Sequence, residues 1–254
     1  MMIYISCAKT MTARSKKQIP FTTIPRFYNE AACNIRCLSQ FNSSEIAQML
    51  RVNSKLAAEN YFRFQNFFSE DNIGLPAILS YTGMVFKRLS VNDFSEDDFK
   101  YAQDHLLITS FLYGLLRPLD IIKNYRLEGD VKLPERGGVN MFDFWKPILT
   151  DFFIDEIKNQ GGILVNLASN EMKDLFDWKR VCSEVKVLTP DFQVYKNGKL
   201  STVVIYAKMC RGEMTRFLLK NRIEDPEQIK SFEWEGFCYN EQESTGDHWV
   251  FTMG

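Results

Sequence analysis

The pattern of apolar and polar residues divides the chain into helical stretches in its first half and β-rich stretches toward its end. A short apolar run, Met2–Ser6, predicts an opening strand, and a polar loop follows it through Pro25. Phe27–Gln40 carries helical spacing. Asn42 with Glu45 three residues on is a capping-box-like start for a short helix ending near Leu50. Asn53 or Ser54 then caps a third helix running to about Phe67. Ser95 with Asp98 starts another, whose inward stripe is Phe99, Ala102 and Leu106. Gly161–Ala168 holds ILVNLA, the composition of a buried strand.

Two β-rich segments, VKVLTPDFQVY and LSTVVIYAK, flank Asn197-Gly198, the preferred pair for a tight type I′ turn, and predict a hairpin over Glu184–Lys208. A second antiparallel pair is expected between Glu233–Tyr239 and Trp249–Met253. Gly212–Arg222 returns to helical spacing, with Met214, Phe217 and Leu218 in one arc. The predicted fold is α+β, a single compact domain over residues 1–254, with a mixed or antiparallel sheet and surrounding helices.

Bulk composition adds little to this: 254 residues, 45% hydrophobic and 25% charged, describe an ordinary globular chain. The net charge of −1 means that a nucleic-acid site must come from uneven placement of charge. Placement is uneven. Lys9, Arg14, Lys16, Lys17 and Arg26 precede the first acid, and Lys208, Arg211, Arg216, Lys220 and Arg222 face only Glu213, whereas Asp93, Glu96, Asp97, Asp98 and Asp104 form an acidic block. The six cysteines show no CxxC pair, Met1–Ser6 has no basic leader, and no apolar run is long enough to span a bilayer. The expectation is a cytoplasmic chain with reduced thiols, away from membranes.

The densest chemistry lies in SFLYGLLRPLDIIKNYRLE, Ser110–Glu128. Pro118 pushes Arg117 out of helical geometry, so that Arg117 stands on a loop. Asp120 is near enough to hold its guanidinium. An extended Tyr125–Glu128 places Arg126 and Glu128 on one face. Two oriented arginines in an apolar stretch suit an anion site, and they suit a pair of structural Arg–acid clamps equally well.

LYGLLRPLD followed by YRLE resembles the YaaA family of bacterial peroxide-resistance proteins. SCAKT (Ser6–Thr10), FSEDDF (Phe94–Phe99), FDFW (Phe142–Trp145), NLASNE (Asn166–Glu171) and YAKMCRGEMTRFLLKNR (Tyr206–Arg222) extend the resemblance over nearly the whole chain. The resemblance implies a cytoplasmic protein with a positively charged cleft, a helix-hairpin-helix-like element and DNA binding. The family pattern has glycine at Phe111, tyrosine at Met172 and a small apolar residue at Cys210.

With that resemblance, residues 43–67 are the candidate helix-hairpin-helix-like element, with Lys55, Asn60 and Arg63 as polar contacts; the usual hairpin glycines are missing, and a plain helical hairpin is the alternative. On Gly212–Arg222, Arg216 and Lys220 share a face, with Arg211 and Arg222 at its border, as a phosphate track or a solvated face. Lys208 and Arg211 are expected at a strand-to-helix junction, where free N–H groups favour an anion. Lys9 follows the first strand, and Asn166 and Ser169 end a later one, so that Lys9, Arg117, Arg126, Asn166, Lys208 and Arg211 are expected to converge. The phosphate contacts expected are Lys9, Arg117, Arg126, Lys208, Arg211 and Arg216, with Lys55, Arg63, Asn166, Lys220 and Arg222 secondary. Six contacts imply a slope of log K on log salt near −5 on duplex DNA.

Two other functions compete with DNA binding by a monomer. An enzyme acting on a nucleotide or nucleobase would use Asp120 or Glu128 as general base; an interaction protein would need neither. Two histidines without HExxH or a His/Cys cluster give no metal site and no cofactor. Cys210, between Lys208 and Arg211, is the best-placed candidate for a reactive thiol, because neighbouring cations lower a thiol pKa.

Overall fold

The opening run folds as β1 (Met2–Ile5), and all four of its residues are buried. A computed structural model describes residues 1–196 and 198–253. After the long loop come α1 (Tyr28–Leu38), α2 (Ser43–Leu50) and α3 (Ser54–Gln65). The Asn42 capping box is fully formed: its side chain accepts from the N–H groups of Ser44 and Glu45, while Glu45 accepts from the Asn42 N–H. Asn53 caps α3 more simply, its side chain accepting from the Leu56 N–H. Arg51 joins the two helices in left-handed geometry, φ 51°.

Next come β2 (Leu75–Pro76), α4 (Ala77–Ser80), α5 (Met84–Leu89) and α6 (Glu96–His105). Ser95 and Asp98 cap α6 reciprocally. The expected inward stripe of this helix is corrected at its end. Leu106 is not helical but the first residue of β3 (Leu106–Ser110), paired in parallel with Ile3. β4 (Gly114–Leu116) and β5 (Ile121–Ile122) lead to α7 (Met141–Asn159), then β6 (Ile163–Asn166), α8 (Trp178–Glu184) and β7 (Lys186–Lys196).

The chain closes with β8 (Lys199–Ser201), α9 (Val204–Lys220), β9 (Cys238–Tyr239) and β10 (His248–Met253). The expected hairpin over Glu184–Lys208 is thus half right. β7 pairs antiparallel with β8, but the return strand stops at Ser201. Val203, Val204 and Ile205 have strand propensity, yet Ala207, Cys210, Met214 and Leu218 recur at helical spacing and are buried. Packing of that stripe overrides local preference, and α9 begins eight residues before the expected Gly212. Asn197 of the predicted type I′ turn lies outside the described residues. The late antiparallel pair is present, Phe251 opposite Tyr239.

The result is a single compact α+β domain around a mixed sheet, in the order β4-β3-β1-β6-β7-β10-β9, with β8 on β7. Its centre, β3-β1-β6-β7-β10, is parallel; the pairings of β4, β8 and β9 are antiparallel. Parallel strands need cover on both faces, which accounts for the fully buried pattern of β1 and β3. Trp145 of α7 is wholly buried and donates from its indole nitrogen to the Phe111 carbonyl at 2.8 Å. Among the described residues no helix is long and apolar enough to cross a membrane.

Candidate functional site

Following β1, the chain pairs β3 on one side of it and later β6 on the other. Crevices at the carboxyl ends of strands where the connection reverses are the usual ligand positions of parallel sheets. A cleft of about 750 Å³ opens there. Its walls are Ser6–Thr10 after β1, Phe111 after β3, Leu167, Ser169, Glu171 and Met172 after β6, the end of α2, the start of α5, Tyr125–Asp130, Phe142 of α7, and Lys208 and Arg211 of α9.

The floor is tied together by side chains. The Cys7 N–H donates to the Thr109 hydroxyl at 2.8 Å, linking the ends of β1 and β3. Ser6 Oγ accepts from the Ser169 N–H at 2.9 Å, linking β1 to β6. The Tyr125 hydroxyl lies 2.6 Å from Ser110 Oγ and 2.8 Å from the Tyr81 hydroxyl, and burial pushes both phenols well above their usual range. Burial also pushes the Cys7 thiol up to about 11, against a bond with Thr109 that pulls it down.

Glu128 holds two cations at the mouth. Its Oε2 lies 2.7 Å from Lys9 Nζ, and its Oε1 accepts from Arg126 Nε at 3.2 Å and lies 3.1 Å from Nη2. The extended geometry inferred for this segment therefore places Arg126 and Glu128 together. Arg51, at the α2–α3 junction, meets Asp130 at 2.8 Å. Lys208 and Arg211 are three apart on one face of α9, so both reach the cleft. Burial lowers the Arg211 guanidinium from its usual pKa, with the Asp191 carboxylate pushing back. Its Nε is buried and has no hydrogen-bond partner among the described residues.

Of the six residues expected to converge, four do: Lys9, Arg126, Lys208 and Arg211. Arg117 does not. Its guanidinium donates to the Gln103 carbonyl at 3.0 Å and to the Glu156 carboxylate, clamping the loop after β4 to α6 and α7. Asp120 holds the Arg117 backbone N–H, not the guanidinium, and accepts the Thr23 hydroxyl at 2.7 Å. Burial raises its pKa, but it lies away from the cleft, leaving Glu128 as the acid of the two that lines it. Asn166 is buried and accepts the Ala168 N–H at 3.3 Å.

The charged face of α9 is also committed elsewhere. Arg216 grips both oxygens of Asp93 and donates to the Ser90 carbonyl at 2.6 Å. Lys220 pairs with Asp98 at 2.8 Å, and the Arg222 guanidinium lies 5.8 Å from the centre of the Tyr101 ring. The acidic block thus neutralises this face. Arg63 pairs with Glu59 on its own helix, and Asn60 is buried, donating to the Leu56 carbonyl. Lys55 is exposed at the start of α3, outside the cleft.

The junction expected to place Lys208 and Arg211 at a helix start is corrected too, because α9 begins at Val204. Cys210 is fully buried, and burial pushes its thiol up to about 12, outweighing the Arg211 charge that was expected to lower it. Sequence reasoning missed the Arg51–Asp130 pair, Glu171 and the Ser110–Tyr125–Tyr81 cluster. Arg51 was visible between two capped helices, and Ser110, Tyr125 and Glu171 stood in stretches already singled out, but nothing local showed that Tyr125 and Glu171 line one cleft or that Tyr81 joins the cluster.

The model of the family described as peroxide stress protein YaaA matches residues 1–243. A UPF0246 protein of Phocaeicola vulgatus is 65% identical over 253 residues, covering 100% of this chain and 99% of the relative. One of Bacteroides fragilis is 62% identical over 254 residues, with 100% and 99% covered. A UPF0246 protein of Marinomonas is 38% identical over 254 residues, with 99% and 96% covered.

Proposed function

The chain belongs to the peroxide stress protein YaaA family, and from that premise we propose that it is a cytoplasmic, monomeric DNA-binding protein of the oxidative stress response. The phosphate backbone of duplex or branched DNA lies across the mouth of the cleft. The observation that carries the reading is Arg211, which lines the cleft with a buried Nε lacking a partner. Such a donor is costly to leave unmade, by about 1–3 kcal/mol, and an anionic oxygen would complete it. Lys208 joins it from one turn earlier and, among the described residues, forms no ion pair of its own. Five cationic side chains line the cleft against three acidic ones, which favours an anion. The α2–α3 hairpin borders the cleft through Met49–Arg51, which supports reading it as a helix-hairpin-helix-like element that meets the same DNA.

The arrangement changes the salt dependence expected from sequence. Arg117 and Arg216 are spent on Glu156 and Asp93. Lys208 and Arg211 supply two phosphate contacts, and Lys9 and Arg126 add up to two more by turning from Glu128. The slope of log K on log salt is then about −2 to −4, not near −5. Fluorescence anisotropy of labelled duplex and four-way-junction DNA across a salt series tests this. Salt-steep binding that collapses in Lys208→Ala/Arg211→Ala supports the reading; no binding, or binding that the double variant keeps, overturns it.

A further inference from the structure

We infer that the interior of the cleft is a site for a single nucleoside monophosphate unit, held with its base unstacked and its phosphate toward Lys208 and Arg211. The inference rests on the DNA reading for the identity of the anion and adds what the cavity itself admits. A volume of about 750 Å³ falls within the range of about 300–1,000 Å³ typical of small-molecule sites. A duplex, whose major groove alone is about 12 Å wide, stays outside. One nucleotide does not need to.

The lining fits a base better than a bare phosphate. Phe111 and Phe142 pack edge to face, centroids 5.2 Å apart, and Met84, Leu167 and Met172 add apolar surface. Enzymes and binders that take a base out of its stack enclose it between such side chains and read its polar edge. Gly129 fixes this wall closely. A Cβ there would stand 2.3 Å from the Phe142 ring and 2.8 Å from Phe111, so the backbone passes beside both rings only because no side chain intervenes.

Glu128 supplies the polar edge. An ionised carboxylate has about four lone-pair sites. Lys9 and the two Arg126 nitrogens occupy three. The side chain of Lys9 is 67% exposed and free to turn toward a phosphate. A carboxylate only accepts hydrogen bonds, so it favours the exocyclic amino group of cytosine or adenine over thymine, whose single N3–H donor is flanked by two carbonyl oxygens that repel the carboxylate. The ligand class is therefore an amino-bearing nucleoside monophosphate, free in solution or extruded from a strand.

The test uses the full chain and two readouts. Isothermal titration with dCMP, dAMP and TMP addresses free nucleotides. A duplex bearing 2-aminopurine in a mismatch, followed by anisotropy and by 2-aminopurine emission, addresses extrusion. The expected result is binding of dCMP and dAMP with TMP about tenfold weaker. Emission should also rise when the duplex binds, and Phe142→Leu should reduce the rise. Glu128→Gln, nearly isosteric, should erase the preference against TMP while leaving the fold intact. Duplex binding with neither an emission change nor mononucleotide binding overturns the inference and leaves the DNA reading standing. Mononucleotide binding without duplex binding sustains the pocket and overturns the DNA reading. Equal affinity for TMP and dCMP refutes the role given to Glu128.

Discussion

Replacing Gly212 by alanine sets two well-understood effects against each other. Gly212 lies inside α9, where alanine is the better helix former by about 1 kcal/mol. On an exposed helix the substitution would stabilise. Here a Cβ would lie 2.3 Å from the Val85 carbonyl oxygen and 2.7 Å from Arg88 Cβ, both on α5. Carbon atoms are comfortable at about 3.5–4.0 Å, so the helices must separate by about 1 Å. The nearest obstacle is backbone, which cannot swing aside as a side chain can. Overpacking costs about 1–3 kcal/mol, and a backbone clash belongs at the upper end. Subtracting the propensity gain leaves about 2 kcal/mol of destabilisation. For a chain of this size that lowers Tm by about 4–8 °C. Thermal and urea unfolding followed by circular dichroism measure it directly. Because α5 and α9 both border the cleft, the DNA affinity proposed above should fall as well. A variant that melts at or above the wild type would refute the reasoning.

Other consequences are equally direct. Lys220→Met should destabilise the protein by about 1 kcal/mol at neutral pH: burial raises the Asp98 carboxyl, but Lys220 and the Ser95 cap outweigh it and hold it below its usual pKa. A depressed carboxylate contributes stability above its unfolded pKa of about 3.9 and loses it as pH falls through the folded value. The difference between variant and wild type in urea unfolding should therefore vanish in strong acid; a constant difference would refute the pairing. Arg117→Met should lower stability by about 2 kcal/mol while leaving the salt slope of DNA binding unchanged, since Arg117 clamps Glu156 and Gln103; a shallower slope would return it to the cleft. A thiol reagent at pH 8 should modify exposed Cys238 first and exposed Cys182, whose thiol pKa burial raises, more slowly. Half-buried Cys7, pushed up to about 11, should be slower still, and Cys210, fully buried and pushed up to about 12, should react only on unfolding. Rapid peroxide oxidation of Cys210 in the native protein would contradict this.

The sequence by itself determined what is decided within a few residues. Asn42 with Glu45 and Ser95 with Asp98 announced two helix starts, because donor and acceptor of a capping box lie within one turn. The buried runs at Met2–Ile5 and Ile163–Asn166 announced strands, and two-residue spacing put Arg126 beside Glu128. Only the tertiary structure decided which strands neighbour β1, and hence where the cleft opens. It also decided where α9 begins, since burial of Ala207 and Cys210 outweighed the β-branched run before them. Above all it decided which cations are free. Arg216 and Asp93 are 123 residues apart, and Arg117 and Glu156 are 39 apart. Charge is a property of a residue, but its availability depends on partners that only folding brings within a few ångströms.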